Sequence, residues 1–221
     1  MQQLLLDLPH KKAYGREDYF ISKCNTKAIA FIDKYPLWNL NALIIYGEIS
    51  SGKTHLAHVF QEKVQAYIYD ASIINEKTPS EIFQEKDNVI VEDLDINKIM
   101  EEKLLHFLNY AKNNNLYVLI TSAYNPTGWK IELADLKSRI NSISSTAIEP
   151  PDDTLISVLL IKMFHDKQIK IAAKEIKYIV SRIDRSYESI KKTVDLIDSL
   201  SLQEKKKISA GLLKRILESD F

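Results

Sequence analysis

The sequence is short of several residue types, and each shortage excludes a class of protein. Its 221 residues include a single cysteine, Cys24, which rules out an internal disulfide and any metal site built from several cysteines. Basic and acidic residues balance at 30 each, so there is no overall positive charge to hold DNA or a membrane surface. No apolar run approaches the roughly 18 residues that span a bilayer. The apolar stretch at 4–8 is too short and too acidic for a signal peptide. We therefore expect a cytoplasmic protein without membrane association.

Glycine is also scarce, but two of the five glycines occupy the fixed positions of a phosphate-binding motif. The segment 47–54 has the spacing Gly-x-x-x-x-Gly-Lys-Thr, with an apolar segment before it and a stretch of helical character after it. In such a loop the backbone N–H groups surround a phosphate, and the N-terminus of the next helix adds positive potential. The lysine reaches the β- and γ-phosphates, and the threonine hydroxyl ligates Mg²⁺. The motif predicts a nucleoside di- or triphosphate site formed by Gly47, Ser50, Ser51, Gly52, Lys53, Thr54 and His55.

Short apolar segments and helical segments alternate on both sides of this loop. The apolar segments typical of strands lie at 42–46, 66–69, 89–91, 116–120 and 145–148. The clearest helical periodicity between them is at 98–113. This alternation predicts an α/β fold with a five-stranded parallel sheet, covered by helices on both faces.

Two adjacent prolines, Pro150 and Pro151, end the alternation because they fix an extended backbone. Only helical segments follow, at 154–166, 173–183, 187–200 and 209–218, and Asp152 or Asp153 could cap the first. We place a domain boundary at about 149–152. The predicted organisation is an N-terminal tail at 1–10, a nucleotide-binding domain at 11–149 and a small all-helical lid domain at 150–221.

Two acids, Glu92 and Asp93, follow the third predicted strand. P-loop nucleotide hydrolases carry carboxylates there that serve Mg²⁺ and the attacking water. Glu92 occupies the metal position, where aspartate is usual, and Asp93 takes the water-activating position. The longer side chain must fold back to the metal, and the shorter one reaches less far toward water. We therefore expect slow hydrolysis; a strand that ends in two solvated acids is the alternative.

Four other residues are candidate site residues because of their position relative to the phosphate-binding loop. Thr121 and Ser122 end the fourth strand, where a polar group can orient water or contact the γ-phosphate. Capping the following turn is an equally ordinary role for them. Arg139 precedes the fifth strand and Arg185 lies in the predicted lid. Taken alone, each of these is typical of a surface arginine.

Together these segments resemble the ATPase module of the bacterial replication initiator DnaA, a member of the AAA+ class. The likeness rests on Gly-x-x-x-x-Gly-Lys-Thr-His-Leu at 47–56, Leu-Lys-Ser-Arg at 136–139 and Glu-Pro-Pro at 149–151. The stretches at 25–28 and 185–188 also resemble family segments. The likeness implies an AAA+ nucleotide-binding domain followed by a helical lid.

The resemblance also implies roles for individual residues. Arg139 would be the arginine finger offered to nucleotide on a neighbouring subunit, and Arg185 the second sensor of the chain's own nucleotide. The residues near the adenine ring would be Tyr19, Phe20 and Ile21. The family tends to have arginine where this chain has Asp135, which argues against self-assembly of the initiator type.

The N-terminal residues resemble the Gln-Leu-x-Leu-x-Leu peptide that docks into the DNA polymerase sliding clamp. In an extended peptide Gln3 would hydrogen-bond at the rim of the cleft, while Leu4, Leu6 and Leu8 fill its subsites. A short edge strand or a tether folded onto the domain is the alternative. The chain ends at Phe221, directly after the predicted lid, so we expect no helix-turn-helix domain.

This combination is similar to the DnaA-related inactivators of the Hda type. The resemblance implies a clamp-tethered negative regulator of chromosomal replication initiation that promotes hydrolysis of DnaA-bound ATP, with Arg139 acting in trans. An arginine finger is worth roughly 10³–10⁵ in rate, so a chain without one at its own site should hydrolyse ATP weakly. Bound ADP or ATP with Mg²⁺ would then organise the lid. The expected partners are the sliding clamp and DnaA, without sequence-specific DNA binding, and a homodimer stays open.

Three alternatives remain at this point. A DnaC-like helicase loader would bind helicase and single-stranded DNA, which calls for basic and aromatic residues on one face, and no clear stripe of that kind is present. A stand-alone ATPase would turn over ATP by itself. A non-catalytic adaptor between clamp and DnaA would keep its inhibitory function when Arg139 is replaced.

Overall fold

Five parallel strands form the centre of the chain in a computed structural model that describes residues 19–84, 86–204 and 213–215. The sheet has the order β2-β3-β4-β1-β5, and every neighbouring pair is parallel. The strands are β1 (Ala42–Tyr46), β2 (Tyr67–Asp70), β3 (Asn88–Glu92), β4 (Tyr117–Ser122) and β5 (Ser144–Ala147). The predicted five-stranded parallel sheet is confirmed, with strand ends that shift by one or two residues.

Nine α-helices lie in the described part of the chain. They are α1 (Thr26–Asp33), α2 (Lys53–Val64), α3 (Ile73–Glu76), α4 (Pro79–Phe83), α5 (Glu101–Asn113), α6 (Ala134–Ser142), α7 (Asp153–Asp166), α8 (Ala173–Val180) and α9 (Tyr187–Glu204). A single turn of helix is also present at 213–215, within the predicted helix 209–218, whose other residues lie outside the described ranges.

Alternate residues of each central strand face opposite sides of the sheet, because side chains in a strand alternate with a period of two. On one side Ile44, Val89 and Ile120 pack with α5 and α6. On the other side Leu43 and Ile90 pack with α1 and α2. Both faces are therefore buried, which explains why the central strands read as continuous apolar runs.

Helices α7, α8 and α9 share an apolar cluster of their own, which includes Ile156, Phe164, Ile179 and Val194. The side chain of Asp152 caps α7, since its Oδ1 accepts a hydrogen bond from the Leu155 amide at 2.8 Å. The exact limits of the lid at 150–221 stay a prediction.

Two predicted helices begin or end elsewhere than the periodicity indicates. The helix predicted at 98–113 begins at Glu101, because Ile99 and Met100 are extended after a short 3-10 turn. The helix predicted at 173–183 ends at Val180, and Ser181 caps its C-terminus. Across the described ranges, no helix combines the length and apolar character that a membrane span requires.

Candidate functional site

The loop between β1 and α2 begins with a close backbone contact that requires glycine. The amide of Gly47 donates a hydrogen bond to the carbonyl of Ser122 on β4 at 3.2 Å. A Cβ atom on Gly47 would lie 2.7 Å from the carbonyl oxygen of Ile148 and 3.0 Å from the Ser51 hydroxyl oxygen. A backbone oxygen at the end of a sheet cannot move aside cheaply. The loop can therefore leave the sheet here only through a residue without a side chain.

Two further loop residues have left-handed backbone conformations. Gly52, the N-cap of α2, has φ +93°, which glycine adopts without strain. Ser50 has φ 67°, a conformation that costs other residues roughly 1–2 kcal/mol. Turns of this kind direct successive N–H groups toward an anion, and the N-terminus of α2 follows directly. The backbone at 50–54 therefore has the form of a phosphate-binding loop.

Lys53 places a buried cation in this loop. Its side chain is 6% exposed, and its Nζ donates to the carbonyl oxygens of Gly47 and Glu48 at 2.8 Å each. Burial lowers the pKa of Lys53, and the nearby carboxylates of Asp93 and Glu92 partly offset that effect. Charged partners form stronger hydrogen bonds than neutral carbonyls do. A phosphate in the loop would thus be a better partner for this ammonium group than its present ones.

Two buried oxygens near Lys53 lack a hydrogen-bond partner among the described residues. They are Oε1 of Glu92, at the end of β3, and Oγ of Ser51 in the loop. Buried polar atoms are paired in the great majority of cases, so two uncommitted ones in the phosphate-binding region favour a ligand there. Asp93 is exposed and has a left-handed backbone with φ 54°.

The two polar residues at the end of β4 are fully buried, and both hydroxyls have partners within the protein. The Thr121 hydroxyl accepts from the Asp93 amide at 3.0 Å and so fixes the backbone of the acidic pair. The Ser122 hydroxyl donates to the Leu94 carbonyl at 2.7 Å and accepts from the Tyr124 amide at 3.2 Å. Thr121 therefore contacts the acidic pair, whereas Ser122 fixes the adjoining loops, the capping role left as an alternative above.

A cavity of about 140 Å³ lies beside the loop, between the segment before α1 and the lid helix α7. Tyr19 and Phe20 form one wall and Leu155 belongs to the other. The Tyr19 ring meets His55 edge-on, with the ring centroids 5.0 Å apart. Ile21 follows Phe20 and is 48% exposed. A largely apolar cavity next to a phosphate loop suits the flat base of a nucleotide.

Tyr187, the first residue of α9, also lines this cavity, although it is not among the predicted site residues. Its hydroxyl donates to the carbonyl of Glu149 at 3.3 Å and lies 3.9 Å from Sγ of Cys24. Burial raises the pKa of Tyr187 far above its usual range, and Cys24 adds to the shift. The contact ties the lid to the residues before α7 and before α1. Its only sequence signal is its position two residues after Arg185.

The two candidate arginines have partners outside the phosphate loop. The Nη2 atom of Arg185 lies 3.0 Å from Oδ1 of Asp153, the first residue of α7, with both side chains about 60% exposed (62% and 60%). Arg139, half-buried on α6, donates a short hydrogen bond to the side-chain oxygen of Asn109 on α5. Among the residues that the structure describes, neither guanidinium group therefore contacts the phosphate loop of its own chain.

The remaining predicted residues complete the outline of the site. Thr54 follows Lys53 at the start of α2 and is half-buried. The described ranges contain no cluster of three or more His, Cys, Asp or Glu side chains that could hold a metal. A Mg²⁺ ion here would need phosphate oxygens as further ligands, which is its usual mode of binding.

The predicted tail residues Gln3, Leu4, Leu6 and Leu8 lie outside the described residues.

The parallel sheet, the phosphate loop after β1, the acids after β3 and the helices after β5 define a P-loop protein with the AAA+ fold. Domain III of the replication initiation protein DnaA from Thermotoga maritima matches this fold with a TM-score of 0.75 at 16% identity. The match covers 93% of this chain and 96% of that domain. The structure of AMPPCP-bound DnaA from Aquifex aeolicus matches with a TM-score of 0.66 at 15% identity, over 86% of this chain and 68% of that one.

Sequence comparison gives the same relationship. The chromosomal replication initiator protein DnaA of Buchnera aphidicola subsp. Cinara cedri is 26% identical over 199 residues, which is 80% of this chain and 45% of that protein. The chain thus spans a little under half the length of the DnaA proteins that it matches. No protein-family model matches it. The chain is therefore similar in sequence to DnaA proteins and shares the AAA+ fold of DnaA domain III.

Proposed function

We propose that this chain binds an adenine nucleotide, ADP or ATP, together with Mg²⁺. The observation that carries this proposal is the buried Lys53 ammonium group, held by loop carbonyls at 2.8 Å, with uncommitted oxygens of Ser51 and Glu92 in the same region. The aromatic cavity adjoining the loop would take the base. DnaA of Aquifex aeolicus, which shares the fold, is described with AMPPCP bound.

The residues present fit the phosphates and the cation. Lys53 would exchange its carbonyl partners for the β- and γ-phosphates, and the Thr54 hydroxyl and Glu92 would hold Mg²⁺ with phosphate oxygens. Bound Mg²⁺ would neutralise part of the phosphate charge. Asp93 would orient water, with its backbone held by Thr121 at 3.0 Å. Glu92 is longer than the aspartate that usually serves the metal, and Asp93 is shorter than the residue that usually activates the water. We therefore expect slow hydrolysis by the chain alone.

We further propose that the chain acts on DnaA, as a negative regulator of replication initiation tethered to the sliding clamp. Arg139 supports this role, because its guanidinium group lies on α6 and is held by a neutral amide of Asn109. A neutral partner releases an arginine more readily than a carboxylate does. In an assembly, Arg139 would stabilise charge on the γ-phosphate of DnaA-bound ATP. The tail at 3–8 would supply the tether.

The test is ATP hydrolysis by purified DnaA in the presence of DNA-loaded clamp, with and without this protein. We expect acceleration that needs the clamp and falls by roughly 10³ or more with Arg139→Ala, the magnitude of a lost arginine finger. Arg182→Ala is the control, because it removes the same positive charge from another helical segment, where the Arg182 guanidinium stacks on the Tyr178 ring at 3.7 Å.

Each other outcome identifies a different function. Inhibition of initiation that survives Arg139→Ala would indicate an adaptor that only bridges clamp and DnaA. Hydrolysis that does not respond to clamp or DnaA would indicate a stand-alone ATPase. No effect on DnaA, with binding to helicase and single-stranded DNA, would favour a helicase loader.

The tether is tested separately from the arginine. The double variant Gln3→Ala with Leu4→Ala should lose binding to the clamp and keep its nucleotide affinity, because the changed residues precede the nucleotide domain in sequence. Surface plasmon resonance on immobilised clamp measures the first property and calorimetry the second. Clamp binding that survives the double substitution would refute the role of the tail.

A further inference from the structure

Helix α6, which carries Arg139, is attached at its start to the neighbouring helix α5. Glu101 is the first residue of α5, and its carboxylate accepts two backbone hydrogen bonds from the residues just before α6. Its Oε1 accepts from the amide of Glu132 at 3.0 Å, and its Oε2 accepts from the amide of Leu133 at 2.6 Å. Both oxygens of one carboxylate therefore hold two successive peptide groups.

Helix α6 has no capping side chain of its own. Its N-cap residue is Leu133, which offers no oxygen to the free amides of the first turn. Hydrogen bonds to an ionised acceptor are stronger than those to a neutral one, and negative charge near a helix N-terminus is favoured by the helix dipole. The start of α6 is therefore held by a charged residue of α5 rather than by its own sequence.

The backbone that presents Glu101 is itself held by hydrogen bonds. The side chain of Asn75, on α3, accepts from the amide of Met100 at 3.0 Å and donates to the carbonyl of Lys98 at 2.8 Å. Glu101 follows Met100 directly and is half-buried. The carboxylate thus reaches the start of α6 from a fixed point.

The rest of α6 is held mainly by apolar packing. Leu136 and Ile140 are buried in the cluster under the sheet, and such packing is not directional, so it leaves the tilt of the helix to its hydrogen bonds. Arg139 lies six residues after Leu133, about 9 Å along the helix axis, so a tilt of about 6° moves it by about 1 Å. A misplacement of about 1 Å at a reacting centre can lower a rate by about 10².

We propose that Glu101 is a positioning residue that sets the direction of Arg139 toward the nucleotide of DnaA. The inference rests on the proposed function, in which Arg139 stabilises charge on DnaA-bound ATP. Glu101 touches neither DnaA nor the nucleotide in this role. It fixes the start of α6, and Arg139 follows from the direction of that helix.

The test titrates DnaA and DNA-loaded clamp with the wild-type chain, Glu101→Gln, Glu101→Ala and Arg139→Ala, each as the full chain. The maximal rate of ATP hydrolysis and the concentration for half-maximal rate are measured separately. Glutamine keeps the size of the side chain and one acceptor but loses the charge and the second acceptor. We expect both Glu101 variants to lower the maximal rate by at least about tenfold and to change the half-maximal concentration by less than about threefold.

A double variant distinguishes positioning from a general loss of stability. Because Glu101 acts through Arg139, Glu101→Gln should have no further effect on the rate in a chain that already carries Arg139→Ala. Amide hydrogen exchange in the chain alone gives an independent reading. Exchange at Glu132 and Leu133 should become faster in Glu101→Gln, since each amide then has a weaker partner or none.

Glu102→Gln is the matched control. Glu102 also lies in the first turn of α5, it carries the same charge, and no hydrogen bond joins it to the start of α6 among the residues that the structure describes. This variant should keep the wild-type maximal rate and the wild-type exchange at Glu132 and Leu133.

The outcomes separate the inference from the proposed function. Full acceleration by Arg139→Ala would overturn the arginine finger and this inference with it. Loss of acceleration in Arg139→Ala, with a wild-type rate in both Glu101 variants, would overturn the inference alone. It would also be overturned if Glu101→Gln lowered the rate further in the Arg139→Ala chain, or if exchange at Glu132 and Leu133 were unchanged.

Discussion

Replacing Gly47 with alanine tests the point at which the sheet passes into the phosphate loop. The new Cβ would lie 2.7 Å from the Ile148 carbonyl oxygen and 3.0 Å from Oγ of Ser51. Gly47 is not in the left-handed region, so this contact is the main obstacle to alanine. The Ile148 amide donates to the Tyr46 carbonyl at 2.7 Å, which ties the clashing residue to the end of β1. Relief therefore requires β1 and the segment after β5 to separate.

Overpacking of this kind typically costs about 1–3 kcal/mol. For a domain of this size, a loss of 1 kcal/mol lowers the midpoint of thermal unfolding by roughly 2–4 °C. We therefore expect Gly47→Ala to lower that midpoint by about 2–12 °C. Its affinity for ATP should fall by at least about tenfold, because a shifted loop misplaces the N–H groups that hold the phosphates.

Gly128→Ala is the matched control, because no heavy atom lies within 4 Å of the Cβ position at Gly128. That substitution should be neutral or should stabilise the protein by up to about 1 kcal/mol, through a less flexible unfolded chain. Urea unfolding followed by circular dichroism compares the two variants, and calorimetry gives their ATP affinities. If Gly47→Ala unfolds at the same urea concentration as Gly128→Ala, the close contact at the end of β1 is not a constraint and the reasoning fails.

Two further predictions concern the lid. If Arg185 is the second sensor that the resemblance implies, Asp153→Asn should raise ATP affinity by up to about fivefold at low salt, because the exposed pair at 3.0 Å is worth at most about 1 kcal/mol and would have to break first. Calorimetry at two salt concentrations measures this, and weaker ATP binding would show instead that Asp153 holds Arg185 in place for the nucleotide. Tyr187→Phe should cost about 0.5–1.5 kcal/mol at neutral pH, since it removes the hydrogen bond to Glu149. Because the folded protein raises the pKa of Tyr187, that phenol stabilises the fold below about pH 10 and loses this effect as the pH rises further. The difference between wild type and variant should therefore shrink above about pH 10 in urea unfolding, and a constant difference would contradict the assignment.

The sheet was predictable because its signal is local. Buried parallel strands appear as short apolar runs, and the phosphate loop has a fixed glycine spacing that follows one of them. The helical boundaries were less predictable. Met100 and Ile99 fit a helical pattern but are extended, because a short turn at Ile96–Lys98 precedes α5.

The candidate site was predictable only in part. The segment 47–54 and the pair Glu92 and Asp93 follow from spacing, and the structure brings these acids close enough to Lys53 to affect its pKa. Thr121 and Ser122 are adjacent and chemically alike, yet one contacts the acidic pair and the other the next loop. Both partners, Asp93 and Leu94, follow β3, so these contacts depend on β3 lying beside β4, which no local pattern reports.

The sequence by itself determined the class of the fold and the presence of a phosphate loop, since both depend on residues close together in the chain. Only the tertiary structure decided which distant residues line the cavity beside the phosphate loop. Tyr187 lies 3.9 Å from Cys24 across 163 positions of sequence, and its hydroxyl donates to the Glu149 carbonyl. Such contacts arise when the lid helices pack against the segment before α1. Their physical cause is the burial of surfaces that come together only in the folded chain.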